Sequence, residues 1–189
     1  MDLAERILDT ALQLAEQRGW DGVHLYDVAQ ALGIGLSEIQ RCYGQKDDLA
    51  EAWFDRADRA LLAAGEVPGW TALAVRERLQ RAIVAWLAAL APYRRSTAAM
   101  LRYKLQPDHL HLQGRGLLRV SRTVQWIRET ARLPSSGVRR ELEEVVLTTI
   151  FVGTVARWLR DESPDQASAR AWLERQLSRA ERIALRLPG

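Results

Sequence analysis

Ser37, Gln40, Arg41 and Lys46 bring a hydroxyl, an amide, a guanidinium and an ammonium into one short stretch. Side chains of these types at this spacing suit contacts to phosphate oxygens and base edges rather than the making and breaking of bonds. Cys42 lies among them with no basic cluster beside it in sequence, so its thiol is expected to be inert. Further along, Trp86, Tyr103, Trp126 and Phe151 supply large apolar surfaces and Arg122 a cation. That mixture suits a pocket for a small apolar or amphipathic anionic ligand, although the same aromatics equally suit a packed core. Asp108, His109 and His111 have the spacing that could begin a metal site, but no further His or Cys follows in that part of the chain. No metal and no cofactor are therefore expected. A nucleophile beside a base, paired pocket carboxylates and a phosphate loop are not visible, so an enzyme is not expected. Glu143, Glu144, Asp161 and Glu162 are explained by solvation or by pairing with nearby arginines.

The elements that must position these residues are helical throughout. Apolar residues recur at spacings of three and four almost along the whole chain, and no strand-like alternation bounded by turn signals appears. The 189 residues, 48% of them hydrophobic and 27% charged, suffice for a sizeable core. One cysteine allows no intrachain disulfide. The first residues, Met1-Asp2-Leu3-Ala4-Glu5-Arg6, lack the pattern of a signal peptide, and the most apolar stretch, from Val145 to Ala156, is too short to span a bilayer. A cytoplasmic protein without a membrane span is expected. Charge is uneven: residues 1–50 carry four bases and nine acids, a net of −5, whereas residues 94–140 carry eleven bases and two acids.

Gly19 is expected to stop a first helix begun at Asp2 and Glu5. A second helix is expected over about 25–32, a third over 36–43 and a fourth from Asp47 to about Ala64, with a break at Pro68-Gly69. Thr71 is expected to cap a fifth helix ended by Pro92, and Tyr93–Leu105 to form a sixth. Residues 106–116, with Pro107, Gly114 and Gly116, read as the longest loop. A stripe from Leu117 to Ala131 follows, then a helix over 138–160 that is apolar all round in its centre and must be covered on both sides. Ser163-Pro164-Asp165-Gln166 reads as a capping box opening the last helix, 165–186.

Asp27-Val28-Ala29 through Leu32-Gly33-Ile34 to Ile39 has the mechanics of a helix-turn-helix. Ala29 permits a close crossing, Gly33 can adopt the left-handed turn, and Val28, Leu32, Ile34 and Ile39 fill the wedge. Residues 5–50 resemble the N-terminal domain of the TetR family of transcriptional regulators. The likeness rests on Ile7-Leu8-Asp9-Thr10-Ala11 with Ala15 and Gly19, on Asp27-Val28-Ala29 and Leu32-Gly33-Ile34, and on Tyr43 with Lys46-Asp47-Asp48-Leu49. It implies an all-α, ligand-responsive homodimeric repressor whose third helix enters the major groove of double-stranded operator DNA. A helix-turn-helix domain over 1–47 and a helical ligand and dimerisation domain over 48–189, joined by a connecting helix at 48–64, are expected. Ligand binding would then shift that connecting helix.

This chain departs from the family pattern at Gly35, Leu36 and Gln40, where a Ser cap, a Lys and a phosphate-binding Tyr are usual, and at His24, where a Thr cap is usual; Arg41 is retained. Glu38 adds a negative charge on the same surface. Trp158-Leu159-Arg160-Asp161-Glu162-Ser163 with Ala171–Leu177 is similar to the C-terminal end of TetR-fold lipid-binding proteins of ubiquinone biosynthesis, which have lost DNA binding. That gives the alternative reading. In either case the helices over 138–160 and 165–186, with Thr149, Gly153 and Ala156 for close approach, are expected to pair with those of a second copy.

Overall fold

The computed structural model describes residues 2–104 and 110–184, and the side chains of 104 and 110–117 are not described. Helices make up the regular structure, with no strand among the described residues. They are α1 (Leu3–Arg18), α2 (Leu25–Leu32), α3 (Leu36–Cys42), α4 (Lys46–Ala64), α5 (Val75–Leu90), α6 (Arg94–Lys104), α7 (Leu110–Ala131), α8 (Gly137–Trp158) and α9 (Ala167–Ala184). Among the described residues no helix is long and apolar enough to cross a membrane.

The chain forms two compact units. One runs to Arg56 and takes in Leu90–Gln113; the other takes in Ala57–Ala89 and the chain from Gly114 onward.

In the first unit, Ile7, Leu8, Ala11, Leu12 and Ala15 form the buried stripe of α1, and Gly19 ends the helix at φ 78°. Arg56 on α4 binds Asp9 at 2.7 Å and also Glu5, fastening α4 to α1. Burial works against the Arg56 charge, but bonds and attraction from Asp9 and Glu5 outweigh it and raise its pKa above the ordinary arginine value. Glu5 is thereby committed to Arg56, and the side chain of Asp2 caps nothing at the start of α1. Trp53 donates to Thr97 Oγ1 at 2.9 Å, tying α4 to α6. Glu16 of α1 accepts from both the amide and the hydroxyl of Ser96 in the first turn of α6.

In the second unit, Trp86 of α5 meets Phe151 of α8 edge to face, with ring centroids 5.0 Å apart. Asp58 of α4 is buried and accepts from Trp86 Nε1 at 2.9 Å, Thr123 Oγ1 at 3.0 Å and Arg119 Nη2 at 2.7 Å. Two helices, α5 and α7, are thus pinned to one carboxylate of α4, whose charge is compensated by a guanidinium as a buried ion requires. Trp70 donates to the Thr130 carbonyl at 2.7 Å, closing the Pro68-Gly69 turn onto α7. Gly153 of α8 accommodates Trp172 of α9, for a β-carbon there would stand 2.5 Å from the indole.

Several sequence expectations are corrected. Thr71 lies in a 3-10 turn, Trp70–Ala72, and α5 starts later, at Val75. Leu110–Gly116, expected in a loop, are the opening turns of α7, so Gly114 and Gly116 are carried inside a helix at the modest propensity cost glycine brings. The remainder of that expected loop, through His109, lies outside the described residues.

The last helix starts at Ala167, because Asp165 and Gln166 adopt φ of 53° and 51° and break the turn that the capping box needs. Its cap is formed upstream: Asp161 accepts from the Ala169 amide at 2.6 Å, and Ser163 Oγ from the Ser168 amide at 3.1 Å. Asp161 is therefore a buried cap rather than a solvated acid. Glu143 does pair with Arg128 and Arg139, each at 3.3 Å. In the centre of α8, Leu147, Ile150, Phe151, Thr154 and Trp158 are buried, while Val145, Val146 and Val152 are exposed on the single chain.

Candidate nucleic-acid interface

The helix-turn-helix is built as its residues dictate. Gly33 takes φ 66° and ψ 33°, the left-handed turn that glycine adopts without steric cost. Ile34 N–H then donates back to the Ala29 carbonyl at 3.0 Å, fixing the exit from α2. Val28, Ala29 and Ile39 are buried between the helices, with Leu32 and Ile34 half-buried at the edge. Tyr43 donates its hydroxyl to the Ala4 carbonyl at 3.0 Å, so this ring locks the end of α3 onto α1.

Anchoring through Ile39 turns the other side of α3 outward: Leu36, Ser37, Gln40 and Arg41 are all exposed. Arg41 has a loose partner in Glu38 at 3.7 Å, in an exposed pair worth little in water. Glu38 itself accepts from the Gly35 amide at 3.0 Å, supplying a cap that glycine lacks. The same device recurs at α2, where Asp27 accepts from the His24 amide at 3.3 Å, and at α4, where Asp48 accepts from the Gln45 amide at 3.1 Å.

Lys46 stands apart from the exposed group. Its ammonium donates to the carbonyls of Trp20 at 2.6 Å and Asp21 at 3.3 Å and lies over the Trp20 ring. Burial pushes its pKa below the ordinary lysine value, against the attraction of Asp21. A cleft of about 430 Å³ opens beside it, lined by Asp21, Val23, His24, Leu25, Lys46 and Tyr103. An exposed pair that the sequence reading missed stands at the entry to α2, His24 stacked on Tyr26 with centroids 5.0 Å apart. Its only signal in the sequence is an aromatic off the apolar stripe.

Of the five residues expected around a ligand, Trp86 and Phe151 are buried against each other in the second unit and Arg122 and Trp126 are exposed on α7, while Tyr103 belongs to the first unit, at the cleft just described. In the second unit a cavity bordered by Leu87, Trp158 and Ala169 has a volume of about 10 Å³, room for one water at most. Cys42 is half-buried at the end of α3. His109 and the side chain of His111 lie outside the described residues.

An all-α chain with a helix-turn-helix headpiece and an outward-facing third helix belongs to a class of nucleic-acid-binding architectures. A TetR transcriptional regulator from Nitrosomonas europaea is 42% identical to this chain, covers 95% of it and 98% of its own length, and superposes with a TM-score of 0.84. This chain belongs to the TetR family of transcriptional regulators. A TetR family regulator from Thermus thermophilus shares the fold at 21% identity, with coverage of 92% and 97% and a TM-score of 0.53. A TetR-like regulator from a Rhodococcus species does so at 22% identity, with 93% of each chain covered and a TM-score of 0.54. No protein-family model and no curated protein sequence matches the chain.

Proposed function

We propose that this chain is a ligand-responsive homodimeric repressor that binds double-stranded operator DNA through α3. The carrying observation is the outer face of that helix, where Ser37, Gln40 and Arg41 stand clear of the core that Ile39 anchors. In this reading Gln40 and Arg41 reach base edges or phosphates, Ser37 meets the backbone, and Lys46 adds positive charge at the start of α4. Dimerisation is assigned to α8 and α9. Val138, Leu142, Val145, Thr149 and Val152 are exposed at alternating steps of four and three, the spacing of a helix-to-helix seam. The small apolar or amphipathic anionic ligand belongs to the second unit, and the protein works in the cytoplasm without catalysing a reaction.

Fluorescence anisotropy against DNA from upstream of the gene, with random competitor and at several salt concentrations, tests this reading. The expected result is saturable, sequence-dependent binding whose affinity falls as salt rises. Arg41→Ala is expected to cost about 1–3 kcal/mol of binding. Equal affinity of wild type and variant across the salt series would remove Arg41 from the interface, and failure in a genome-wide operator selection would overturn the regulator reading.

A further inference from the structure

Three arginines of the second unit are buried: Arg78, Arg119 and Arg128. Arg119 bonds Asp58 at 2.7 Å, and Arg128 bonds Ser135 at 2.9 Å and Glu143 at 3.3 Å. Arg78 is 9% exposed, forms no ion pair among the described residues, and has an enclosed Nε without an acceptor. A buried N–H needs an acceptor, and the Nε of Arg78 has none.

Arg78 sits in the first turn of α5. The first intrahelical bond there is the Arg78 amide to the Ala74 carbonyl at 3.0 Å. The amides of Val75, Arg76 and Glu77 precede it, and the alanine at position 74 has no side-chain oxygen to receive them. The acids nearby are engaged elsewhere: Glu77 pairs with Arg81 at 2.6 Å, one turn further on, and Glu181 with Arg76 at 3.1 Å. Helical side chains lean toward the N-terminus, so Arg78 covers the same end to which these amides point. Ala74 and Val75 are exposed, which leaves that end open to solvent.

We propose that the N-terminal turn of α5, with Arg78, is a binding site for an anionic group, a carboxylate or phosphate carried by a small molecule. Helix amides, the positive end of the helix dipole and a guanidinium fork are the donors that recognise either anion. The site lies in the unit assigned to the ligand but is independent of DNA binding, and its test involves no DNA.

Thermal unfolding of the full chain is followed at constant pH and ionic strength while sodium phosphate, or in a separate series sodium acetate, replaces sodium chloride. The wild type is expected to show a saturable rise in Tm of about 3 °C in at least one series. The responding series tells phosphate chemistry from carboxylate chemistry. Ala74→Asp places a carboxylate at the cap and is expected to raise Tm in chloride while abolishing the response. Arg78→Met is expected to abolish it as well. The general stabilising effect of phosphate is shared by all variants and does not saturate, so it is separated by comparison. A wild type that shows no saturable response to either anion, or an Ala74→Asp protein that keeps the wild-type response, overturns the proposal.

Discussion

The acids of the first fifty residues look hostile to DNA when they are only counted, but in the fold most have a partner. Glu5 and Asp9 neutralise Arg56, Glu16 receives Ser96, and Asp27, Glu38 and Asp48 receive backbone amides at helix starts. A carboxylate held by donors projects a weaker field than a free one, so the net charge of the segment does not describe its outer face. Lys46 illustrates the reverse case, a cation whose charge burial disfavours. Its folded pKa lies below the ordinary 10.5, so the unfolded chain holds that proton more tightly. Stability contributed at this site therefore rises as pH climbs through the folded pKa toward the unfolded one. Urea unfolding of wild type and Lys46→Met along an alkaline pH series is expected to show this rise in the wild type only.

Helix starts are where this chain invests its acids, and each start follows from one or two residues. Gly35 cannot cap α3 with a side chain, so Glu38 closes the turn from inside the helix. Glu38→Ala is expected to lower stability by about 1 kcal/mol, the usual size of a lost cap, whereas Glu38→Gln keeps an acceptor oxygen and most of that stability. Thermal melts of the two variants check this, and equal losses would show that charge rather than the cap matters. Gly19 and Gly33 were legible as helix stops because a local conformation decides them, and both take positive φ. Asp161 was not legible as the cap of α9, because the kink at Asp165 and Gln166 moves the helix start and brings an upstream carboxylate onto it.

At the scale of the whole molecule the main unsatisfied feature is α8. Its inner face is filled by Leu147, Ile150, Phe151 and Trp158, yet Val138 is 72% and Val145 65% exposed on the other. An apolar face of this length on one copy is the expected signature of a partner helix. Val145→Glu would bring like charges together across a two-fold axis, at a cost of several kcal/mol to the dimer. Light scattering at micromolar concentration is expected to give a dimer for the wild type and a monomer for the variant, with specific DNA affinity falling in parallel. A wild-type monomer would remove the seam from the account.

The sequence by itself determined the helical class, the turn at Gly33, the break at Pro68-Gly69 and the membership that residues 5–50 announce, because periodicity, glycine conformation and close helix crossing are local properties. It also gave α8 two apolar faces. Tertiary structure alone decided which of those faces is buried, that Asp58 gathers Trp86, Arg119 and Thr123, and that the Nε of Arg78 is enclosed without an acceptor among the described residues. The surroundings of Trp86 and Phe151 were decided there for the same reason: aromatic type records a need for burial, but the surface against which a ring is buried depends on helices distant in the chain.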